Sequence, residues 1–157
     1  MIRPDFRSAF VAALVLSAAL LACKKDPGEA KLGETVSQSD YRLTVFKTHD
    51  CTAGNEFVVG KGNMALGVEV LIEHTGSKQL PYNPTYAQIK DSAGRKYKGT
   101  PMSYCKPELP TYVDNVDPLK PLRGFITFEM PATATGLKLT YSPYMGNQQE
   151  IRFDLGR

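Results

Sequence analysis

The chain has 157 residues, 22% of them charged, a formal net charge of +3, three cysteines and no tryptophan. That length suits one domain of ordinary size. So small a charge on a mixed sequence argues against a nucleic-acid binder, which carries a clustered basic face.

The N-terminus comes first. Met1 to Ser8 carries Arg3 and Arg7 against Asp5, and the 14 residues from Ala9 to Ala22 contain no charge and one hydroxyl, Ser17. A positive segment followed by an apolar one is the pattern of a signal peptide. The apolar run falls short of the roughly 18 residues that span a bilayer as a helix. Residues 1–22 are therefore expected to be removed.

The end of that run, Leu20-Leu21-Ala22-Cys23, resembles the lipobox of bacterial lipoproteins: a leucine three residues before a cysteine, a small residue just before it, then the cysteine. The resemblance implies a thioether from Cys23 to a diacylglycerol and cleavage between Ala22 and Cys23. It also implies acylation of the new amino group in many bacteria. Two or three acyl chains anchor stably, at about 0.8 kcal/mol per buried methylene, where one chain binds only marginally. The mature chain would then run from Cys23 to Arg157 with a formal charge of +2, since two arginines and one aspartate leave with the signal. No later segment is apolar enough to cross a membrane.

Residues 23–31 form the lipidated cysteine and a flexible tether, in which Lys24 to Lys31 are polar and include a Pro-Gly pair. Those eight residues reach about 26 Å when extended. Lys24 stands where lipoproteins retained in the inner membrane of enteric bacteria have Asp. The resemblance therefore favours the outer membrane in a Gram-negative cell.

Residues 32–157 read as an all-β domain. Tyr41, Leu43 and Val45 alternate with polar neighbours and mark an early strand. Asn63 to His74 is the clearest element: Met64, Leu66, Val68, Val70 and Ile72 fall on one face and Ala65, Gly67, Glu69, Leu71 and Glu73 on the other. The mixed second face predicts a central strand partly covered on its outer side. Thr75-Gly76-Ser77-Lys78 makes a turn. Tyr86–Lys90 and Arg95–Lys98 make a hairpin around Asp91-Ser92-Ala93-Gly94. Leu122–Met130 is a further strand ended by Pro131. Leu137, Leu139 and Tyr141 define one more, and Ile151, Phe153 and Leu155 the last. Seven to eight short strands without a convincing helix point to a β-sandwich.

A second resemblance rests on Gly33-Glu34-Thr35-Val36, on Ile72-Glu73-His74-Thr75-Gly76-Ser77-Lys78, on Ile89-Lys90-Asp91-Ser92-Ala93-Gly94, and on Gly124-Phe125-Ile126-Thr127-Phe128-Glu129-Met130-Pro131. Together these resemble the telokin-like, or immunoprotective extracellular, immunoglobulin-like domain of bacterial lipoproteins, over about Leu32 to Pro143. Most members of that family have no known function, and its motifs specify turns and core strands. Two departures stand out. His74 replaces the usual Asn before the Thr-Gly turn, and Thr100–Pro121 is longer than the typical linker.

With Cys23 committed to lipid, Cys51 and Cys105 remain as an even pair in an oxidising compartment, where a disulfide is expected. Closing 54 positions of chain would stabilise the domain by about 4 kcal/mol on the chain-entropy model. Both cysteines fall in loops and no tryptophan is present to pack on them, so this is not the inter-sheet bond of antibody domains. The competing use of the same atoms is a soft-ligand copper site built from His49, Cys51 and Cys105 with His74 or Met102. Its spacing offers only the close pair His49 and Cys51.

Enzymatic motifs are not found: no Gly-x-Ser-x-Gly elbow, phosphate-cradling glycine loop or His-Glu-x-x-His occurs. Thr100–Pro121 holds five prolines with Tyr104 and Tyr112 between them. A long loop of this kind is a candidate partner-binding loop. The alternative is that it drapes over a sheet edge and protects it from pairing. The expected protein is therefore a lipid-anchored, extracytoplasmic immunoglobulin-like β-sandwich without catalytic residues or cofactor. It touches the membrane through Cys23, and an envelope protein or other extracytoplasmic ligand through a binding or scaffolding surface.

Overall fold

The computed structural model describes residues 28–55, 58–143 and 150–157. In chain order its strands are β1 (Thr35–Gln38), β2 (Tyr41–Asp50), β3 (Asn63–His74), β4 (Ala87–Lys90), β5 (Lys96–Lys98), β6 (Leu122–Pro131), β7 (Lys138–Tyr141) and β8 (Ile151–Asp154). They form two four-stranded sheets, ordered β1-β2-β3-β6 and β5-β4-β7-β8, with antiparallel pairing between neighbouring strands. The only helical element among the described residues is a 3-10 turn at Pro84–Tyr86.

Period-two alternation drives each strand into place. Along β3, Met64, Leu66, Val68, Val70 and Ile72 point inward and are buried. Leu43 and Val45 join them from β2, and Ile126, Phe128 and Met130 from β6. The second sheet answers with Ala87, Ile89, Leu139, Tyr141, Ile151 and Phe153. Each such Val, Leu, Ile or Phe contributes about 1.5–3 kcal/mol by leaving water. Tyr41 and Tyr141 meet edge to face across the sandwich, with centroids 5.9 Å apart.

Four features differ from the sequence reading. β1 is an additional strand, pairing Thr35–Gln38 with Tyr41–Thr44. β2 extends to Asp50 because a bulge between Val45 and Lys47 absorbs one extra residue, Phe46. The fold also begins earlier than residue 32. Ala30 is buried and extends the second sheet beyond β8: its N–H donates to the Arg152 carbonyl at 3.0 Å and its carbonyl accepts from Asp154 N–H at 2.8 Å. Tyr86 lies in the 3-10 turn instead of a strand because Pro84 opens that turn and Asn83 caps it, accepting from Thr85 N–H at 2.9 Å.

Candidate functional site

Cys51 directly follows β2 and Cys105 lies in the long loop after β5; they are disulfide-bonded, with α-carbons 5.5 Å apart. The bond lies on the outer face of β3, above Gly67. A Cβ at position 67 would overlap the Cys105 sulfur and stand 3.1 Å from that of Cys51. Gly67 is therefore the residue that lets the bridge approach the sheet. Val59, Ala65 and Phe125 pack with the bridge into a small second core, against which Tyr104 rests half-buried. Asn55 joins the two cysteine segments, donating to the carbonyls of Cys51 at 2.8 Å and Tyr104 at 3.4 Å. The Asp50 carboxyl accepts from the hydroxyl and the N–H of Thr52, which hold it below the ordinary carboxylate range.

From this anchor the segment 99–121 follows the free edge of β6. Thr100 N–H donates to the Thr127 carbonyl at 2.8 Å, and Phe125 N–H to the Pro107 carbonyl at 3.0 Å. Tyr104 N–H donates to the Thr127 hydroxyl at 3.2 Å. Leu109 enters the main core. Val113 then exchanges backbone hydrogen bonds with Tyr82, and Val116 N–H donates to the Leu80 carbonyl. The Val116 carbonyl lies 2.8 Å from Nδ1 of His74, the last residue of β3, so the imidazole fastens the end of the loop.

The outer face of this sheet is electrically closed. Glu69 lies 3.6 Å from Lys47 and 3.1 Å from Arg123; Arg42 and Glu73 pair at 2.7 Å. The Arg123 guanidinium stacks over Phe46 at 4.4 Å, and the Lys47 ammonium stands 5.9 Å from the Phe125 ring centre.

The opposite face has another character. Register places Lys96, Lys90, Lys138 and Asp154 side by side across β5, β4, β7 and β8, with Lys98, Gln88, Thr140 and Arg152 in the neighbouring row. Lys90, Lys96, Lys138 and Arg152, with Glu29 and Glu150, border an open hollow of about 410 Å³. Glu29 approaches Lys138 at 2.7 Å, and Arg152 lies 3.3 Å from Glu150. Lys90, Lys96 and Lys98 make no ion pair among the described residues. At the hairpin below, Asp91 accepts from Arg95 N–H, the Arg95 guanidinium and the Tyr97 hydroxyl. Burial acts to raise its pKa, but these donors outweigh it and hold the carboxyl below its ordinary value.

Ala22 and Cys23 lie outside the described residues. Cys51 and Cys105 are joined as expected. Tyr104 and Tyr112 fall in different parts of the loop: Tyr104 packs against the bridge, whereas Tyr112 is 53% exposed, its hydroxyl donating to Asp114 at 2.7 Å. That hydrogen bond and the Asp114 charge push the Tyr112 phenol up. The copper set is not assembled. Both sulfurs are in the bridge, His49 stands beside Phe125 on the outer face, His74 points inward, and Met102 is exposed. No three His, Cys, Asp or Glu side chains converge among the described residues. The basic row escaped the sequence reading because its lysines come from three separate short strands, and only pairing register aligns them.

Two antiparallel sheets packed face to face around one core define an immunoglobulin-like β-sandwich. Residues 30–151 match the domain of unknown function DUF4352, and the chain belongs to that family. No curated protein matches it in sequence. Among solved structures the fold is similar to that of yjhA from Bacillus subtilis, at 15% identity and TM-score 0.56 over 80% of this chain and 98% of that one. It is also similar to B. subtilis ycdA, named a "putative lipoprotein", at 15% identity and TM-score 0.57 over 81% of this chain but 39% of ycdA. The secreted protein MPT63 of Mycobacterium tuberculosis aligns at 11% identity and TM-score 0.54 over 82% and 97% of the two chains.

Proposed function

We propose that the mature protein begins at Cys23, is held by lipid at a membrane surface outside the cytoplasm, and acts as a binding or scaffolding module instead of a catalyst. The observation that carries this reading is the buried Cys51–Cys105 disulfide. Such a bond belongs to an oxidising compartment, and it leaves Cys23 as the unassigned thiol at the end of the lipobox-like segment. The names of ycdA and MPT63 agree with an extracytoplasmic address. Lys24 favours the outer membrane if the cell is Gram-negative, and the telokin-like kinship belongs to the same reading. A partner would meet the exposed Tyr112 region of the loop, which the Tyr82–Val113 pairing holds in shape.

A second reading, a structural envelope lipoprotein without a specific ligand, is favoured by the course of the 99–121 segment, which occupies the otherwise free edge of β6 and blocks edge-to-edge pairing. Metabolic labelling with palmitate tests the anchor: label is expected on the wild type and not on Cys23→Ala, and an unlabelled wild type refutes it. In-cell crosslinking separates the two readings. A crosslinked partner lost on replacing Tyr112 supports binding, and its absence supports the structural role.

A further inference from the structure

We propose that the outer face of the β5-β4-β7-β8 sheet docks on anionic phospholipid headgroups of the membrane that holds the protein. The inference rests on the lipid anchor at Cys23 and adds an orientation to it.

The first argument is charge. Like charges directly opposite each other on neighbouring strands repel. Here Lys96 faces Lys90 and Lys90 faces Lys138. Glu29 compensates Lys138, and Glu150 lies beside Arg152. Asp154 is also on this face, its carboxylate accepting from Gly156 N–H. Lys90, Lys96 and Lys98 keep their charge without an acidic partner among the described residues. Among the described residues no carboxylate pairs with these three lysines to offset their repulsion, whereas an anionic surface does. The open hollow here is lined by four cations, Lys90, Lys96, Lys138 and Arg152, against two acids, Glu29 and Glu150, each of which is paired with one of them, so its excess charge is positive and suited to phosphate-bearing headgroups.

The second argument is where the chain enters. Ala30 pairs along β8, and Glu29 reaches onto this face to meet Lys138. Cys23 precedes Glu29 by six residues, so a fully extended tether spans only about 20 Å. Screening lengths in physiological salt are about 8–10 Å. The lipid therefore keeps Glu29, and Lys138 bonded to it, within roughly two screening lengths of the headgroups, with Lys90 and Lys96 on the next two strands. The opposite face is charge-compensated and carries the disulfide-pinned loop, so the field favours one orientation. A basic side chain near an anionic leaflet strengthens association by about fivefold, so three give about a hundredfold.

The full lipidated chain, reconstituted into phosphatidylcholine vesicles with or without phosphatidylglycerol, tests this by amine-reactive labelling read residue by residue. Labelling of Lys90, Lys96 and Lys98 is expected to fall at least fivefold only in the anionic vesicles, and to recover in high salt. Lys47 and Lys106, away from this face, are expected not to change. In Lys90→Glu/Lys96→Glu/Lys98→Glu, checked by circular dichroism for an unchanged fold, Lys138 should label equally in both vesicles. Equal labelling of the two faces in both vesicles, on protein that floats with them, overturns the docking and leaves the anchor standing. Protein that fails to float with neutral vesicles overturns the anchor. In that case, salt-sensitive flotation with anionic vesicles alone still supports the docking, and no flotation with either overturns both.

Discussion

On one side of the sandwich, β2, β3 and β6 bring Lys47, Glu69 and Arg123 together in a mutually compensating group beside a loop bonded at Cys105. On the other, β5, β4 and β7 bring Lys96, Lys90 and Lys138 together, with Glu29 and Asp154 beside Lys138 alone and no acid paired with Lys90 or Lys96 among the described residues. Both faces are built from strands that alternate inward apolar with outward polar residues, so alternation alone does not distinguish them. The difference comes from which outward residue meets which across the ladder. On the first sheet that choice satisfies the surface internally; on the second it leaves a charge that a partner can neutralise.

The largest expected effect falls on the covered face. Replacing both bridged cysteines, Cys51→Ala with Cys105→Ala, is expected to lower unfolding free energy by about 4 kcal/mol in denaturant titrations. Next, Gly67→Ala forces a methyl into the bridge and should cost about 3 kcal/mol. Part of that cost should vanish in the cysteine-free background, where the contact with sulfur is gone and only the 2.9 Å approach to the Phe125 ring remains. A cost that is simply additive would show that the bridge does not press on β3. Glu69→Ala leaves Lys47 and Arg123, both more than half exposed, without their shared carboxylate and is expected to cost about 1 kcal/mol.

The hairpin beneath the basic face supplies a pH test. The Asp91 carboxyl titrates below its ordinary value of 3.8 in the folded chain, so the unfolded chain binds its proton more readily. Its contribution is complete above the unfolded pKa and is lost as pH falls through the folded one. Asp91→Asn should therefore be less stable than wild type near neutrality, with the gap closing below about pH 4. The smallest effect is expected from Lys90→Ala: a change within about 0.5 kcal/mol, and in the stabilising direction because repulsion from Lys96 and Lys138 is relieved. A clear destabilisation there would contradict the open-face description.

Much of this architecture was legible in the residues. The alternation from Met64 to Ile72 identifies the central strand, and the mixed face of Ala65, Gly67, Glu69, Leu71 and Glu73 marks its outer side as partly covered. Asp91-Ser92-Ala93-Gly94 identified its hairpin. The edge-protecting course of the long loop was one of two expected alternatives. What escaped notice depends on tertiary partners: β1 gains its place by pairing with β2, the Val45–Lys47 bulge extends β2, and Ala30 is a single alanine docked on β8 within an otherwise polar stretch. The lysine row escaped for the same reason, since register between strands far apart in the chain is not written in any one of them.

Lipidation of Cys23, as proposed, would set the compartment, leave the other two cysteines as a pair and hold the basic face beside a bilayer. Intact mass spectrometry of the protein from membranes tests it most directly. The predicted mass is that of residues 23–157 with a diacylglycerol on Cys23 and two hydrogens fewer for the Cys51–Cys105 bond. A chain that keeps residues 1–22 with Cys23 unmodified would contradict it.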